Sequence, residues 1–136
     1  MKKKLLGFMA GVVLNAVAFA KVDAPALTLK ELKELQPKIK NKEVVLVDAN
    51  SYATYKEGRI PGAISYDENR GNLATVLEKD GYKKDAIVVA YCGGPKCVAW
   101  KSAAEEAEKA GFKNLRHFPG GISGWKEAKL DVEKGK

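Results

Sequence analysis

Apolar positions along the chain fall into two kinds of block. Val44-Val45-Leu46-Val47 and Ala86-Ile87-Val88-Val89-Ala90-Tyr91 are continuous, rich in β-branched residues and bounded by charge. That is the pattern of strands covered on both faces. Ala99, Trp100, Ala103, Ala104, Ala107 and Ala110 instead recur at helical spacing, with Lys101, Glu105, Glu106, Glu108 and Lys109 opposite them. This stripe predicts a helix over 98–110, stopped by Gly111. Thr28 and Glu31 form a capping-box pair for a helix reaching Leu35, and Pro37 ends it. Shorter helical turns are expected over 51–57, 72–78 and 123–128, with brief strands near Ile64 and over 115–118. Alternating strands and helices predict an α/β fold: a mostly parallel central sheet flanked by helices.

Residues 1–20 stand outside this pattern. Lys2, Lys3 and Lys4 precede an apolar run from Leu5 to Val17, and Ala18-Phe19-Ala20 supplies small residues for cleavage. A signal peptide over 1–20 is expected, and with it an exported protein, periplasmic or extracellular, free of the membrane once cleaved. The run is short for a membrane span of about 20 residues. No cysteine near the cut offers a lipid anchor. The expected organisation continues with a flexible lead-in over 21–26, one domain over 27–130, and a charged, frayed tail over 131–136.

Charge adds a restriction. The formal net charge of +7 falls to +4 when the three lysines of 1–20 are removed. The remaining charges are scattered rather than gathered into a basic stripe with aromatics, so a nucleic-acid partner is not expected. The chain has two cysteines and one histidine, too few for a four-ligand zinc set, and no metal is expected.

Chemistry is expected at the carboxyl end of the second strand, where parallel α/β sheets bind ligands. Cys92-Gly93-Gly94-Pro95-Lys96-Cys97 is a tight loop between that strand and the long helix. Backbone N–H groups of Gly93, Gly94, Lys96 and Cys97 can form an anion-binding concavity there, aided by the helix dipole. A thiol at Cys92 would then have a lowered pKa and act as a nucleophile. Lys96 adds a cation that can recruit an oxyanion. Two plainer readings stand beside this one: Cys92 as a small buried hydrophobe, and a Cys92–Cys97 disulfide without function. The bridge would close too short a loop to stabilise much. His117, in the strand expected over 115–118, is read as structural, as are Trp100, Trp125 and Asp48.

Four segments then resemble the rhodanese family. They are Val45-Leu46-Val47-Asp48, Tyr55 to Ile64 with its Gly58-Arg59-Ile60-Pro61-Gly62-Ala63 stretch, Tyr91-Cys92 with its six-residue loop, and Gly111 to Leu115 followed by Gly120 to Trp125. The resemblance runs from about Leu27 to Ala128. It departs from the family at Asn50, where Arg is common, at Arg59, where His is usual, and at Cys97, an unusual second thiol. Asn50 and Arg59 are expected to alter loop packing or substrate preference. Related phosphatases have a loop one residue longer that ends in Arg, and here that position is Val98, so phosphatase or arsenate reductase activity is the weaker enzymatic reading.

The resemblance implies a rhodanese-like α/β fold and a sulfurtransferase with Cys92 as the catalytic residue. Gly93, Gly94, Lys96, Cys97 and Val98 are the substrate-binding candidates. The Cys92 thiolate would take sulfur from thiosulfate or a similar small donor as a persulfide and pass it to cyanide or a thiol, in ping-pong covalent catalysis without a cofactor. Two rivals remain. Cys92 and Cys97 could serve a thiol/disulfide redox protein, or the fold could carry or bind sulfur for a partner without turnover. A reversible Cys92–Cys97 disulfide that shields Cys92 from irreversible oxidation is also expected.

Overall fold

Four short strands make one sheet in the order β2-β1-β3-β4, every neighbouring pair parallel. This is a computed structural model that describes residues 22–136; the expected signal peptide lies outside the described residues. The strands are β1 (Val44–Asp48), β2 (Ile64–Ser65), β3 (Ile87–Tyr91) and β4 (Asn114–Phe118). All five residues of β1 are buried, which is why its sequence does not alternate. Val45 and Val47 face one hydrophobic cluster with Val88, Ala90, Leu77 and Phe112. Val44 and Leu46 face the other, with Leu32, Val89, Tyr91 and Trp125. Helices cover both faces, as a parallel sheet requires.

The helices are α1 (Leu29–Leu35), α2 (Tyr52–Glu57), α3 (Leu73–Lys79), α4 (Trp100–Lys109) and α5 (Gly121–Glu127). Local signals explain several of their ends. Thr28 and Glu31 close the capping box of α1: Glu31 N–H donates to Thr28 Oγ1 at 3.1 Å, and Thr28 N–H to Glu31 Oε1 at 2.8 Å. Ser51 caps α2 by accepting from Thr54 N–H. Past α4, Gly111 takes φ +101°, the left-handed turn that the sequence reserved for a glycine. Glu106, on α4, reaches α3: its carboxylate accepts from the N–H of Gly71 and of Leu73 and from the Tyr66 hydroxyl, each at 2.9 Å.

Three expectations need correction. The long helix starts at Trp100, not Val98. Lys101 N–H bonds Val98 O and Ser102 N–H bonds Ala99 O, so tight i→i+3 turns precede the regular helix. The lead-in over 21–26 is not loose where described. Leu27 N–H donates to His117 O, His117 N–H donates to Pro25 O, and Ala24 is buried, so this segment lies along the free edge of β4. The tail over 131–136 is not frayed either. Arg59 and Glu133 exchange both backbone bonds at 2.9 Å, and Gly135 N–H donates to Lys56 O at 2.8 Å.

That docking is organised by Arg59, buried to 6% exposure. Its Nη1 donates to Gly135 O and Tyr55 O, and its guanidinium lies 4.2 Å from the centre of the Tyr55 ring. Glu133 Oε1 sits 3.4 Å from Arg59 Nε without closing a hydrogen bond there, and it accepts from Gly62 N–H at 2.9 Å. Trp125 Nε1 donates to Asp131 O. The departure at Arg59 therefore serves the tail, which it ties down beside the Ile60-Pro61-Gly62 turn.

Candidate active site

Tyr91 ends β3, and Cys92 follows it at the carboxyl edge of the sheet, only 2% exposed. The loop from Cys92 to Cys97 is held from below by the first turn of α5. Ile122 N–H donates to Cys92 O at 2.9 Å, and Ser123 N–H to Gly93 O at 3.0 Å. Among the described residues, the N–H groups of Gly93, Gly94 and Lys96 have no protein acceptor, whereas that of Cys97 donates to Gly94 O. Three of the four expected amides are thus without a protein partner. The Cys97 amide is spent on closing the turn, which corrects its expected role.

The two sulfurs are joined. Cys92 and Cys97 form a disulfide with Cα atoms 6.3 Å apart, toward the long end of the span such a bridge allows. The expected free thiolate at Cys92 is absent from this oxidised state, since neither sulfur can ionise until the bond is reduced. The sulfurs differ in access. Cys97 is partly exposed and lines a cleft beside the loop, while Cys92 is buried and does not.

Gly93, Gly94, Pro95, Lys96 and Cys97 line this cleft together with Asn50, Thr54, Ile122 and Ser123. Lys96 is exposed and makes no ion pair among the described residues. Val98 does not join the site: it is 61% exposed and outside the cleft wall. It follows the turn that Cys97 closes, which carries it past the loop. No arginine lines the cleft.

Asn50, Thr54 and Ser123 are contributions that sequence reasoning did not place in the site. For Asn50 the signal was its departure from the family pattern, two residues after Asp48. Its backbone N–H and its Nδ2 both donate to Asp48 Oδ1 at 2.8 Å, and its Oδ1 lies 3.6 Å from where a Cβ on Gly93 would be. Asp48 thereby positions the cleft wall. Burial raises the Asp48 carboxyl above its ordinary pKa, and the Asn50 amide, the nearby Tyr91 hydroxyl and the Arg59 charge oppose part of that rise. Its Oδ2 is buried without a hydrogen-bond partner. The Tyr91 hydroxyl accepts from Ile60 N–H at 3.0 Å.

His117 stays structural. Its ring stacks on Trp100 with centroids 3.8 Å apart and planes within 4°, and its Nδ1 meets Ala24 O at 2.6 Å. The stack ties β4 to α4, and the contact with Ala24 ties the start of the described chain to β4.

Fold and site together define a class: a small parallel α/β domain with a cysteine at the carboxyl edge of its central strand, under a glycine-rich loop. Residues 28–128 match the rhodanese-like domain family, and the chain belongs to that family. Thiosulfate sulfurtransferase GlpE of Shewanella oneidensis is 30% identical over 87 residues, 64% of this chain and 80% of that protein. The tRNA uridine(34) hydroxylase of Buchnera aphidicola is 31% identical over 98 residues, 70% of this chain but 30% of that enzyme, so the chain spans less than a third of that relative. Among solved structures, the BH2092 protein of Bacillus halodurans shares the fold with a TM-score of 0.64 and 25% identity, over 93% of this chain and 84% of that one.

Proposed function

We propose that this protein is an exported sulfurtransferase that carries sulfane sulfur as a persulfide on Cys92. In the reduced protein the Cys92 thiolate attacks the outer sulfur of thiosulfate or a similar small donor. The donor's S–S bond breaks, sulfite leaves with the electron pair, and Cys92–S–S⁻ remains. A thiophilic acceptor such as cyanide or a thiol then takes the outer sulfur and restores the thiolate. The chemistry asks for no metal or organic cofactor.

The observation that carries this reading is Cys92 at the carboxyl end of β3, opening a loop in which the N–H groups of Gly93, Gly94 and Lys96 have no protein acceptor. Amides so placed favour a thiolate over a thiol and suit an anionic persulfide equally well. The name of the Shewanella relative, a thiosulfate sulfurtransferase, supports thiosulfate as the first donor to try. Phosphoryl chemistry is disfavoured because no guanidinium faces the loop. The sequence of residues 1–20, a lysine cluster followed by an apolar run and small residues, supports export to the periplasm or beyond.

The test is sulfite release. Reduced wild-type protein should release sulfite from thiosulfate and transfer the sulfur to cyanide, and Cys92→Ser should do neither. A Cys92→Ser protein that turns over at the wild-type rate would sink the assignment. No sulfite from either protein would leave a module that holds sulfur without turnover.

One observation favours a second reading. The Cys92–Cys97 disulfide is what a thiol/disulfide exchange protein would hold between turnovers. An external thiolate would meet the accessible Cys97 sulfur first, expelling Cys92, whose amide surroundings make it the better leaving group.

A further inference from the structure

From the joined sulfurs we infer that Cys97 is a catalytic residue that discharges the Cys92 persulfide inside the chain, releasing hydrosulfide and leaving the Cys92–Cys97 disulfide. This rests on the sulfurtransferase reading and extends it from carrying sulfur to reducing it. The observation behind it is the pairing itself: Cys97 is joined to Cys92, with the loop closed by Cys97 N–H on Gly94 O and held by Ile122 and Ser123. Any persulfide on Cys92 is built on that same sulfur. It therefore stands within reach of a thiol in its own loop.

The step balances. The Cys97 thiolate attacks the inner sulfur of Cys92–S–SH, a Cys92–Cys97 bond forms, and the S–S bond to the outer sulfur breaks. Hydrosulfide leaves with the electron pair. The two cysteine thiols are oxidised to a disulfide, and the sulfane sulfur is reduced to sulfide. Starting from thiosulfate, two thiols and one donor give one disulfide, one sulfite, one hydrosulfide and one proton. Each cycle needs a dithiol to reduce the disulfide, and access decides where it acts: Cys97 borders the cleft and Cys92 is buried. The dithiol's first sulfur joins Cys97, Cys92 leaves as thiolate, and the dithiol's second sulfur frees Cys97.

Proximity supplies the rate. A thiol held against its target reacts as though present at very high concentration, whereas a free thiol must find a buried sulfur. The products of a second thiol in place of an acceptor are thus sulfide and a disulfide, not a persulfidated acceptor.

The experiment is a single turnover without reductant. Reduced, desalted, anaerobic protein is mixed with excess thiosulfate, and sulfite, hydrosulfide and remaining thiols are counted. The expected hydrosulfide-to-sulfite ratio is about one, with loss of both cysteine thiols and a rate independent of protein concentration. In Cys97→Ala the ratio should fall at least about ten-fold, whatever its rate of sulfite release, and peptide mass spectrometry should find the extra sulfur still on Cys92. Sulfite without hydrosulfide from the wild type, or a ratio unchanged in Cys97→Ala, overturns the inference and leaves the sulfurtransferase reading standing. Absence of sulfite from the wild type overturns that reading instead.

Discussion

Gly121 lies directly beneath Cys92: a Cβ built on Gly121 would come within 2.6 Å of the Cys92 carbonyl oxygen and 2.7 Å of Gly94 N. Its φ of +62° is also left-handed. The Cys92–Cys97 loop can settle onto α5 only because this position has no side chain. Gly121→Ala should therefore cost on the order of 1–3 kcal/mol of stability. The colliding atoms are backbone, so the loop must move, and a displacement near 1 Å can cost about a hundred-fold in rate. Urea unfolding beside sulfite release checks both. A variant with unchanged midpoint and rate would show that the loop does not depend on this contact.

Arg59 and the tail form one unit in the structure, which leads to a test by non-additivity. Arg59→Ala loses the bonds to Gly135 O and Tyr55 O, and deletion of 131–136 removes Gly135 and Glu133 from the other side. Each change should destabilise by about 2 kcal/mol, the scale for charged hydrogen bonds with one partly exposed partner. Combined in one protein they should cost clearly less than the sum, since both remove the same contacts. Full additivity in denaturant melts would mean that the tail and Arg59 act separately.

Local pattern made much of the fold legible. Continuous β-branched runs marked β1 and β3 because both of their faces are buried. The capping box at Thr28 and the Gly111 turn marked helix ends because the bonds involved are only a few residues apart. The loop from Cys92 to Cys97 was legible as a strand-to-helix connection because strand end and loop are contiguous in sequence. The far walls were not. Asn50, Thr54 and Ser123 reach the cleft through strand order and packing, and no local period encodes that. Arg59 finds Gly135 across 76 positions, so a charged tail read alone looks solvated. The start of α4 was misplaced because the apolar stripe begins before regular helical bonding does.

Glu106 provides a pH test with a definite sign. Burial raises its pKa, but the Gly71 and Leu73 amides and the Tyr66 hydroxyl outweigh that and hold it below the ordinary 4.5. A carboxylate with a depressed folded-state pKa stabilises fully above its unfolded value, and that contribution is lost as pH falls through the folded one. Asp48 acts oppositely. Its raised pKa means the fold binds that proton more tightly, so its contribution weakens as pH rises from the ordinary 3.8. Comparing wild type with Glu106→Gln separates the two. The stability advantage of the wild type should be constant at neutral pH and shrink below about 4.5. An advantage that is flat down to pH 3 would remove the charge from the account of how α4 holds α3.

Lys96 tests whether the cleft recruits anions. It is exposed, borders the cleft next to Cys97, and has no ion-pair partner among the described residues. Exposed charges contribute little to stability, so Lys96→Ala should melt within about a degree of the wild type. Its effect should fall on encounter with the donor. Thiosulfate carries two negative charges, and a fixed cation at the cleft mouth raises their local concentration in a way that salt screens. At low ionic strength the thiosulfate KM of Lys96→Ala should rise about three- to ten-fold with kcat nearly unchanged. Adding salt should bring the wild type toward the variant, because screening takes away what the mutation has already removed. A neutral sulfur donor provides the control, and its KM should be the same in both proteins. If the thiosulfate KM is unchanged at low salt, the Lys96 charge has no part in recruiting the donor.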